Sequence, residues 1–471
     1  MKDYEVTIGL EVHAELKTNT KCFCSCKNEF GGEPNTHCCP VCVGMPGALP
    51  VINKKAVELT IKAGLCMGCD INDIAVFERK NYFYPDLSKA YQISQLVRPI
   101  CLHGGVKLDS GKFIRLNRIH LEEDAGKLVH KSETVGTLID YNRGGVPLIE
   151  MVSEPDMSSP EEALEFLGKL RENLIYADIA ECKMQEGGMR CDVNVSIREK
   201  GQKEYGTKVE MKNINSFKAV ERAIKFEVER QKDILENGGT VRQETRRWDD
   251  VLGESSSMRS KEDSKDYRYF PDPDILAIEI PRENVEKIRK ELPLLPAERK
   301  EKYMGEFGLS LYDTNLLLSE KVYSNFFDEC VKLYNKPKSV VNWIQSQVLS
   351  LIKDEEEKEI KISASNLTKI IEMLEKKEIS QQDSRTLFAK CWDEDIDAKE
   401  FAKSSGMLST LSENELEKIM DEVISENPKA CEDFKTTPDK VMPFFIGQVM
   451  KKTKGKANSE VVRKYFTEKL K

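Results

Sequence analysis

The sequence predicts an α+β protein in which an antiparallel-sheet lobe is followed by an all-helical domain and a small helical tail domain. Before about residue 283, short segments of alternating apolar and polar residues are separated by Gly, Pro and Asn turns, with helices between them. After that point strand patterns nearly vanish and amphipathic helical patterns follow one another. A Ser-rich stretch around Gly406 precedes a new helix start. We therefore expect domains over residues 1–290, 291–405 and 406–471.

Length and composition limit the class of protein. The chain has 471 residues, a length typical of about three domains, with 39% hydrophobic and 32% charged residues. No apolar run approaches a membrane span, and the N-terminal sequence lacks the basic and apolar regions of a signal peptide. Fourteen cysteines without secretory features indicate reduced thiols and a metal site. We expect a cytoplasmic protein without a membrane partner.

The first predicted strand, GLEVHAEL, places apolar residues on one face and Glu11, His13 and Glu15 on the other. A later segment, RIHLEEDAGK, adds a second acidic cluster that consists of His120, Glu122, Glu123 and Asp124. Exposure of a one-sided sheet to solvent would explain one such polar face. A histidine flanked by carboxylates instead suits Mg²⁺ or Mn²⁺ held for phosphate chemistry.

Six of the fourteen cysteines lie in the run CFCSCKNEFGGEPNTHCCPVC, between Cys22 and Cys42. Within it, C-x-C is followed by C-x-x-C across a Gly/Asn/Pro loop, a spacing typical of four thiolates around a structural Zn²⁺. Cys22, His37 and Cys38 leave several four-ligand sets open. The alternative is a group of half-buried free thiols. Either way the cluster would support the fold and does not indicate an activity.

Two further strands carry mixed polar faces, and REKGQKEYG between them predicts an antiparallel hairpin. CDVNVSIR leaves Asp192, Asn194, Ser196 and Arg198 on one face, and GTKVEMK leaves Lys208, Glu210 and Lys212. Such faces suit a bound nucleotide or substrate. A helix with one apolar stripe follows from Ser216 to Glu236 and ends at an Asn-Gly-Gly sequence.

Other catalytic patterns are absent from the sequence. There is no GxxxxGK[ST] phosphate loop, and no G-x-G-x-x-G follows a strand. GESSSMRSK lacks the Gly-flanked serines of a serine amidase and is interpreted as a loop. No cysteine has the surroundings of a Cys-His-acid nucleophile. An enzyme with this sequence would use metal and phosphate chemistry rather than a covalent nucleophile.

The charge is uneven. Residues 439–471 contain nine Lys/Arg and three Asp/Glu, a local charge of +6 in a chain with a formal charge of −9. A basic segment on an acidic protein can bind a phosphate backbone. A solvated helix face would have the same composition, so charge alone does not decide between the two.

Longer strings carry a family resemblance. IGLEVHAELKT, FERKNYFYPDLSKAYQISQ, YNRGGVPLIEMVSEPD, GTKVEMKNINSF, QETRRWDD, MRSKEDSKDYRYFPDPD and GQVMKKTKGKAN resemble, in order, the B subunits of bacterial aspartyl/glutamyl-tRNA amidotransferases. The resemblance implies that ATP phosphorylates the side-chain carboxylate of mischarged Glu-tRNA(Gln) or Asp-tRNA(Asn), and that ammonia then amidates it. It also implies a heterotrimer in which an amidase A subunit supplies ammonia and a small C subunit joins the two. The fold implied for the catalytic lobe is a cradle similar to glutamine synthetase.

The same resemblance implies site residues. His13 and Glu123 match Mg²⁺ ligands, and Asp250 stands where the family has a third ligand one methylene longer. A strict strand would separate Glu122 from Glu123, so we expect the chain to turn there. We expect catalytic roles for Glu11, Glu123, Glu210 and Lys208, and ATP contacts from Asp192, Asn194, Ser196 and Arg198. The zinc ligands implied are Cys24, Cys26, Cys39 and Cys42, and the tRNA contacts are Lys451, Lys452, Lys454 and Lys456.

Two alternatives remain at this stage. One is a non-catalytic scaffold that docks tRNA while a partner performs all the chemistry. The other is the archaeal glutamate-specific relative, which the absence of a large extra domain disfavours. Within the main interpretation, Asp-tRNA(Asn), Glu-tRNA(Gln) or both stay open as substrates.

Overall fold

The computed structural model describes residues 3–130, 136–260, 267–352, 359–394, 396–408, 413–453, 457 and 459–470. The chain forms two compact units, residues 1–296 and 297–471. Strands occur in the first unit, and the described part of the second unit is helical. Among the helices described, none combines the length and the apolar composition that crossing a membrane requires.

The first unit contains seventeen described strands and four α-helices. The strands are β1 (Tyr4–Glu15), β2 (Asp70–Ile71), β3 (Ile74–Ala75), β4 (Glu78–Asn81), β5 (Tyr91–Ser94), β6 (Cys101–Leu102), β7 (Gly105–Lys107), β8 (Phe113–Glu123), β9 (Lys127–His130), β10 (Thr137–Asp140), β11 (Pro147–Ser153), β12 (Met189–Glu199), β13 (Val209–Ile214), β14 (Glu244–Asp249), β15 (Glu254–Ser260), β16 (Phe270–Pro271) and β17 (Ile278–Glu279). The helices are α1 (Lys54–Cys66), α2 (Pro160–Tyr176), α3 (Phe217–Glu236) and α4 (Arg282–Lys290), and a 3₁₀ turn covers Met184–Glu186.

One large sheet organises the first unit, in the order β15-β14-β13-β12-β1-β11-β8-β6-β2, with β7 also paired to β8. Every pair is antiparallel except β13 and β14. The predicted α+β class is confirmed, but the sheet is mixed rather than purely antiparallel. The parallel pair arises because α3 lies between β13 and β14, and a helical crossover returns the chain in the same direction.

Strand β1 lies near the middle of this sheet and has one apolar and one polar face. Leu10, Val12 and Ala14 are buried in the core that the sheet forms with its helices. Antiparallel neighbours β11 and β12 flank β1, and β12 pairs with β13 as the predicted hairpin. The polar residues of β1 consequently face those of both neighbours.

Helix α3 confirms the sequence prediction in its bounds and in its buried stripe. The Ser216 hydroxyl accepts a hydrogen bond from the backbone N–H of Ala219 and caps the first turn. After Asn237, Gly238 adopts a φ of +75°, which ends the helix in the left-handed region that glycine tolerates.

Two local predictions are wrong. Strand β8 continues through Glu123, which pairs with Pro147, so the chain does not turn after Glu122. The segment interpreted as a loop, GESSSMRSK, forms β15 over Glu254–Ser260 and pairs with β14. In both places the backbone conformation is determined by hydrogen bonds to a neighbouring strand. The local sequence pattern holds no information about that pairing.

The second unit contains twelve described α-helices around two separate hydrophobic cores. They are α5 (Pro296–Gly305), α6 (Leu311–Leu318), α7 (Lys321–Leu333), α8 (Pro337–Trp343), α9 (Leu349–Ile352), α10 (Ala364–Glu375), α11 (Gln381–Asp393), α12 (Ala398–Ser404), α13 (Glu413–Glu426), α14 (Pro428–Thr436), α15 (Pro438–Lys452) and α16 (Ser459–Lys469), with a π-helical segment at Ile344–Val348. One core extends from Tyr303 to Ala402 and the other from Leu416 to Leu470. The boundary expected at residue 406 falls between them. Leu292 and Leu295 pack against the core of the first unit, which therefore extends beyond residue 290.

Candidate active site

A histidine and two carboxylates converge on the polar face of the sheet. His13 on β1 lies opposite Glu150 on β11, and Glu150 lies opposite His120 on β8. His13 Nε2 is 3.4 Å from Glu150 Oε2 and 3.8 Å from Glu122 Oε1. The ligand atoms of His13, Glu122 and Glu150 all lie within 4.8 Å of one another. We call these three residues the first acidic group.

Electrostatics in the first acidic group favour ionised side chains. Burial alone would raise the pKa of Glu122 and of Glu150, but the neighbouring histidines outweigh it and hold both pKa values below their usual range. Burial lowers the pKa of His13, yet Glu150 and Glu122 outweigh this effect and raise it to about 9. A divalent cation such as Mg²⁺ or Mn²⁺ would displace the His13 proton, and an imidazole and two carboxylates at these distances fit such a cation.

A second acidic group lies on neighbouring strands of the same face. Glu11, Asp192 and Glu210 come from β1, β12 and β13, and their carboxylate oxygens lie within 4.8 Å of one another. Lys212 Nζ forms ion pairs with Asp192 Oδ2 at 2.5 Å and with Glu210 Oε1 at 3.3 Å. Lys212 is therefore the counter-ion of this group in the structure.

Neighbouring side chains orient the second acidic group. The Asn194 amide donates to Glu11 Oε1 at 3.0 Å, and the Thr245 hydroxyl donates to Glu210 Oε2 at 2.8 Å. Both donors belong to strands of the same sheet, β12 and β14. Carboxylates held in this way lose little further freedom when a cation binds.

A cavity of about 260 Å³ opens beside the second acidic group. Its walls include Glu11, Asn194, Ser196 and Lys208, and the hairpin residue Gly206 closes one side. A Cβ on Gly206 would lie 1.9 Å from the carbonyl oxygen of Ile197, so only glycine permits this approach to β12. The cavity is lined by amide, hydroxyl, ammonium and carboxylate groups.

Of the four residues expected to contact ATP, Asn194 and Ser196 line this cavity. Asp192 belongs to the second acidic group. Arg198 Nε donates to Glu5 Oε2 at 2.9 Å, and its guanidinium lies 5.3 Å from the ring centroid of Tyr205. The alternation of residues along β12 predicted that these four side chains lie on one common face. In the structure they have different partners, which depend on the neighbouring strands.

The structure does not place Glu123 or Asp250 with His13. Glu123 forms an ion pair with Lys89 and accepts a hydrogen bond from the backbone N–H of Ile93 at 3.0 Å. Asp250 follows β14 and is half exposed, where it accepts hydrogen bonds from Arg222 Nη2 at 2.6 Å and from the indole of Trp248 at 2.9 Å. Glu122 lies beside His13, where Glu123 was expected, because side chains alternate between the two faces along a strand that does not turn.

Glu150 is the main site residue that the sequence reasoning missed. It lies in VPLIEMVS, where a single carboxylate interrupts an apolar run. Such a run is typical of a strand buried on both faces, and a carboxylate is costly there unless it has a charged partner. The isolated Glu in this run was therefore a usable signal.

The cysteine run forms a compact cluster of thiols. The sulfur atoms of Cys24, Cys26, Cys39 and Cys42 lie within 4.8 Å of one another. A hydrogen bond from the Cys24 thiol, which outweighs burial, lowers the pKa of Cys42 to about 4, and the backbone N–H of Cys39 and the ammonium of Lys21 add to this effect. Four sulfurs at these distances, one of them readily ionised, fit a tetrahedral Zn²⁺.

Two other cysteines of the run face elsewhere. Cys22 is fully buried in the core of the first unit, and the Cys38 thiol is 3.8 Å from Asn142 Oδ1. The four sulfurs that lie together thus correspond to one of the sets that the sequence left open.

The lysines expected to contact tRNA divide into two pairs. Lys451 and Lys452 are exposed at the end of α15, and Lys452 Nζ lies 3.2 Å from Glu422 Oε2 and 2.7 Å from Glu426 Oε1. Lys454 and Lys456 lie outside the described residues.

Comparison with known proteins gives two family matches and a set of full-length relatives. Residues 6–286 match the GatB/GatE catalytic domain and residues 325–470 match the GatB domain. Proteins named as the B subunit of aspartyl/glutamyl-tRNA(Asn/Gln) amidotransferase are similar to the chain over nearly its full length. That of Caldicellulosiruptor bescii is 49% identical over 99% of both chains, and that of Thermoanaerobacter pseudethanolicus is 48% identical over 99% of both. The one of Persephonella marina is 45% identical over 100% of both.

Proposed function

This chain belongs to the family of aspartyl/glutamyl-tRNA(Asn/Gln) amidotransferase B subunits, and from that premise we propose that the polar face of its sheet phosphorylates and then amidates the aminoacyl carboxylate of a mischarged tRNA. The substrate would be Glu-tRNA(Gln), Asp-tRNA(Asn) or both. Phosphate would come from ATP, and the products would be the amidated tRNA, ADP and orthophosphate.

One observation carries this proposal: two groups of ionisable metal-type ligands lie side by side on one sheet face, next to a cavity that several polar side chains line. Phosphoryl transfer to a carboxylate brings several negative charges together and depends on cations that neutralise them. The two groups together contain six side chains from adjacent strands, and most of them are carboxylates. A sheet face that only contacts solvent does not require such a concentration of ionisable groups. A docking scaffold would not need them.

We assign Mg²⁺ to the first acidic group, with His13, Glu122 and Glu150 as its ligands, and a further divalent cation to the second acidic group. Such ions neutralise phosphate charge and polarise the phosphoryl group. The protein's own contribution is to hold these ligands on a rigid sheet. In the second acidic group the amide of Asn194 and the hydroxyl of Thr245 fix the carboxylates.

The cavity beside the second acidic group is the proposed nucleotide site. Lys208 at its wall supplies a positive charge for phosphate oxygens, and Asn194 and Ser196 supply hydrogen-bonding groups. The volume of the cavity is about 260 Å³. In this arrangement Glu11 would lie at the junction between the cavity and the second acidic group.

The proposed partners follow from the name of the family. The B component of such an enzyme works with other chains, and we propose an amidase A subunit that releases ammonia from glutamine and a small C subunit in a heterotrimer. The Cys24, Cys26, Cys39 and Cys42 cluster would bind a structural Zn²⁺, and the basic C-terminal segment would contact the body of the tRNA.

The test compares Glu150→Gln and Asp192→Asn in the assembled complex with the exposed control Glu204→Gln. Each of the first two should lower tRNA-dependent ATP cleavage at least about 100-fold, because each weakens the binding of a cation that neutralises charge in the transition state. The affinity for mischarged tRNA should change less than about 3-fold, and the control should retain full activity. Normal ATP cleavage in both variants would leave the docking scaffold as the function.

A further inference from the structure

Lys80 lies on β4 and carries a positive charge. It belongs to neither acidic group, and the family assignment gives it no role. Its ammonium lies 5.1 Å from the ring centroid of Tyr267 and 5.9 Å from that of Tyr82. Within the part of the chain that the structure describes, no carboxylate or other acceptor lies within bonding distance of Lys80 Nζ. Aromatic rings stabilise the charge of an ammonium but leave its three N–H donors without strong acceptors.

Strand pairing brings Lys80 near the first acidic group. Strand β4 pairs with β5, and Ser94 at the end of β5 donates a hydrogen bond to Glu122 Oε2 at 3.0 Å. Burial lowers the pKa of Lys80, yet Glu122 and Glu150 outweigh it and raise the pKa above its ordinary value. The strand register places Lys80 close to the end of β8, because Lys80 lies opposite Gln92 and the Gln92 amide donates to the carbonyl oxygen of Glu123 at 2.7 Å.

The aromatic residues around Lys80 are fixed to β4. The Asn81 amide donates to the carbonyl oxygens of Tyr267 at 3.2 Å and of Arg268 at 2.9 Å. Immediately beyond, Phe270 and Pro271 pair with β4 as strand β16. The two rings thus hold the ammonium in place, and little conformational freedom remains to be lost when an anion binds.

Among the described residues the Lys80 ammonium has no strong acceptor, and it lies near a group of carboxylates. This arrangement suits an anion that binds together with a divalent cation. The carboxylates alone would repel a phosphoryl group, and a bound divalent cation would balance them only in part. Each remaining phosphoryl oxygen needs a donor, and no acceptor in the described part of the chain takes up the donors of Lys80. A lysine that served only as counter-ion for Glu122 or Glu150 would contact one of them, as Lys212 contacts Asp192.

We infer that Lys80 is a catalytic residue of this chain that binds an oxygen of the phosphoryl group during its transfer to the aminoacyl carboxylate. This inference rests on the proposed function, because it assumes that the phosphoryl group binds beside the first acidic group. No covalent change at Lys80 is involved. Its ammonium stabilises negative charge that develops on the phosphoryl oxygens.

The experiment uses Lys80→Met and Lys80→Arg in the assembled complex, with Lys169→Met as the matched control. Lys169 lies in the same unit, and its ammonium is already paired with Asp109 and Glu165. Lys80→Met should lower kcat for tRNA-dependent ATP cleavage about 100- to 1,000-fold with KM for ATP and tRNA within about 3-fold. Lys80→Arg should recover part of kcat, and Lys169→Met should retain all of it.

Orthophosphate provides a readout that does not depend on turnover. In the presence of Mg²⁺ and ADP, orthophosphate should raise the melting temperature of the wild-type complex, and Lys80→Met should lose this increment while keeping the one due to ADP alone. A wild-type complex without the increment, or a Lys80→Met complex that keeps it or keeps its kcat, would overturn the inference. If the proposed function itself fails, Glu150→Gln and Asp192→Asn will cleave ATP normally, an outcome that changes at Lys80 do not produce.

Discussion

Glu122 and Glu123 are adjacent in the chain, yet their carboxylates serve different purposes. Strand β8 directs Glu122 to His13 and Glu150, and it directs Glu123 to Lys89 and the backbone of β5. Alternation along the strand alone produces this division. A family motif aligned one residue away therefore selects Glu123, whose carboxylate lies with Lys89 and not with His13.

The first prediction separates the two glutamates. Glu122→Gln should weaken binding of Mn²⁺, used as a spectroscopic probe, by at least about 10-fold, since it removes one of three ligands. Glu123→Gln should leave Mn²⁺ affinity within about 3-fold. It should instead lower the free energy of unfolding by about 3–5 kcal/mol, because it leaves the nearly buried Lys89 without its partner. Loss of Mn²⁺ binding in Glu123→Gln alone would return the ligand role to that residue.

The second prediction concerns zinc. The purified protein should contain about one zinc per chain, and Cys39→Ser should lower zinc content and melting temperature together, because metal binding is coupled to folding. Cys38→Ser should keep the metal, since its thiol faces Asn142. Cys22→Ser should also keep it but lose stability, because it places a hydroxyl in the apolar core. Zinc loss in Cys38→Ser with retention in Cys39→Ser would contradict this ligand set.

At the scale of elements, α3 determines where the edge of the main sheet lies. Glu227 on α3 is fully buried and accepts two hydrogen bonds from Arg230, at 2.8 and 2.7 Å, and one from Gln231 at 2.7 Å. Arg246 on β14 approaches the same carboxylate at 3.9 Å. Since β14 carries Thr245, which orients Glu210, this network connects the helix to the second acidic group.

The third prediction tests that connection. Glu227→Ala should lower the free energy of unfolding by about 3–5 kcal/mol, because it leaves the guanidinium groups of Arg230 and Arg246 without their buried partner. Hydrogen exchange should rise in α3 and β14. The exposed control Glu229→Ala, which removes an ion pair to Lys232, should stay within about 0.5 kcal/mol of wild type. Equal effects of the two substitutions would refute the role of the network.

At the scale of the whole molecule, the C-terminal core is separate from the other core of the second unit. Met407 and Leu408 still pack against the core that extends to Ala402, and the next core begins at Leu416. A truncation that removes residues 409–471 therefore preserves the preceding helices. A truncation from residue 406 would remove part of their packing.

The fourth prediction uses that truncation in the assembled complex. Deletion of residues 409–471 should raise KM for mischarged tRNA and flatten its dependence on salt, since each lost phosphate contact lowers the salt slope by about one. Glutamine hydrolysis in the partner amidase should continue at its basal rate. Lys451→Ala should weaken tRNA binding more than Lys452→Ala, because Lys452 already pairs with Glu422 and Glu426. An unchanged KM and salt slope after the deletion would falsify a tRNA-binding role.

The sequence by itself determined the fold class, the helical C-terminal unit, the hairpin of β12 and β13, and helix α3 with its cap. It also placed Glu11 and His13 on one polar face and indicated a cysteine cluster that includes Cys24, Cys26, Cys39 and Cys42. These features depend on residues close in the chain, whose spacing and turn chemistry are local properties.

Only the tertiary structure decided which side chains meet. Glu150 joins His13 because β11 pairs with β1, and Glu210 joins Glu11 because β12 lies between β1 and β13. The parallel pair of β13 and β14, the strand at Glu254–Ser260 and the position of Lys80 likewise follow from strand pairing. Strand register is fixed by hydrogen bonds between segments distant in sequence, and a local pattern of residues does not contain that information.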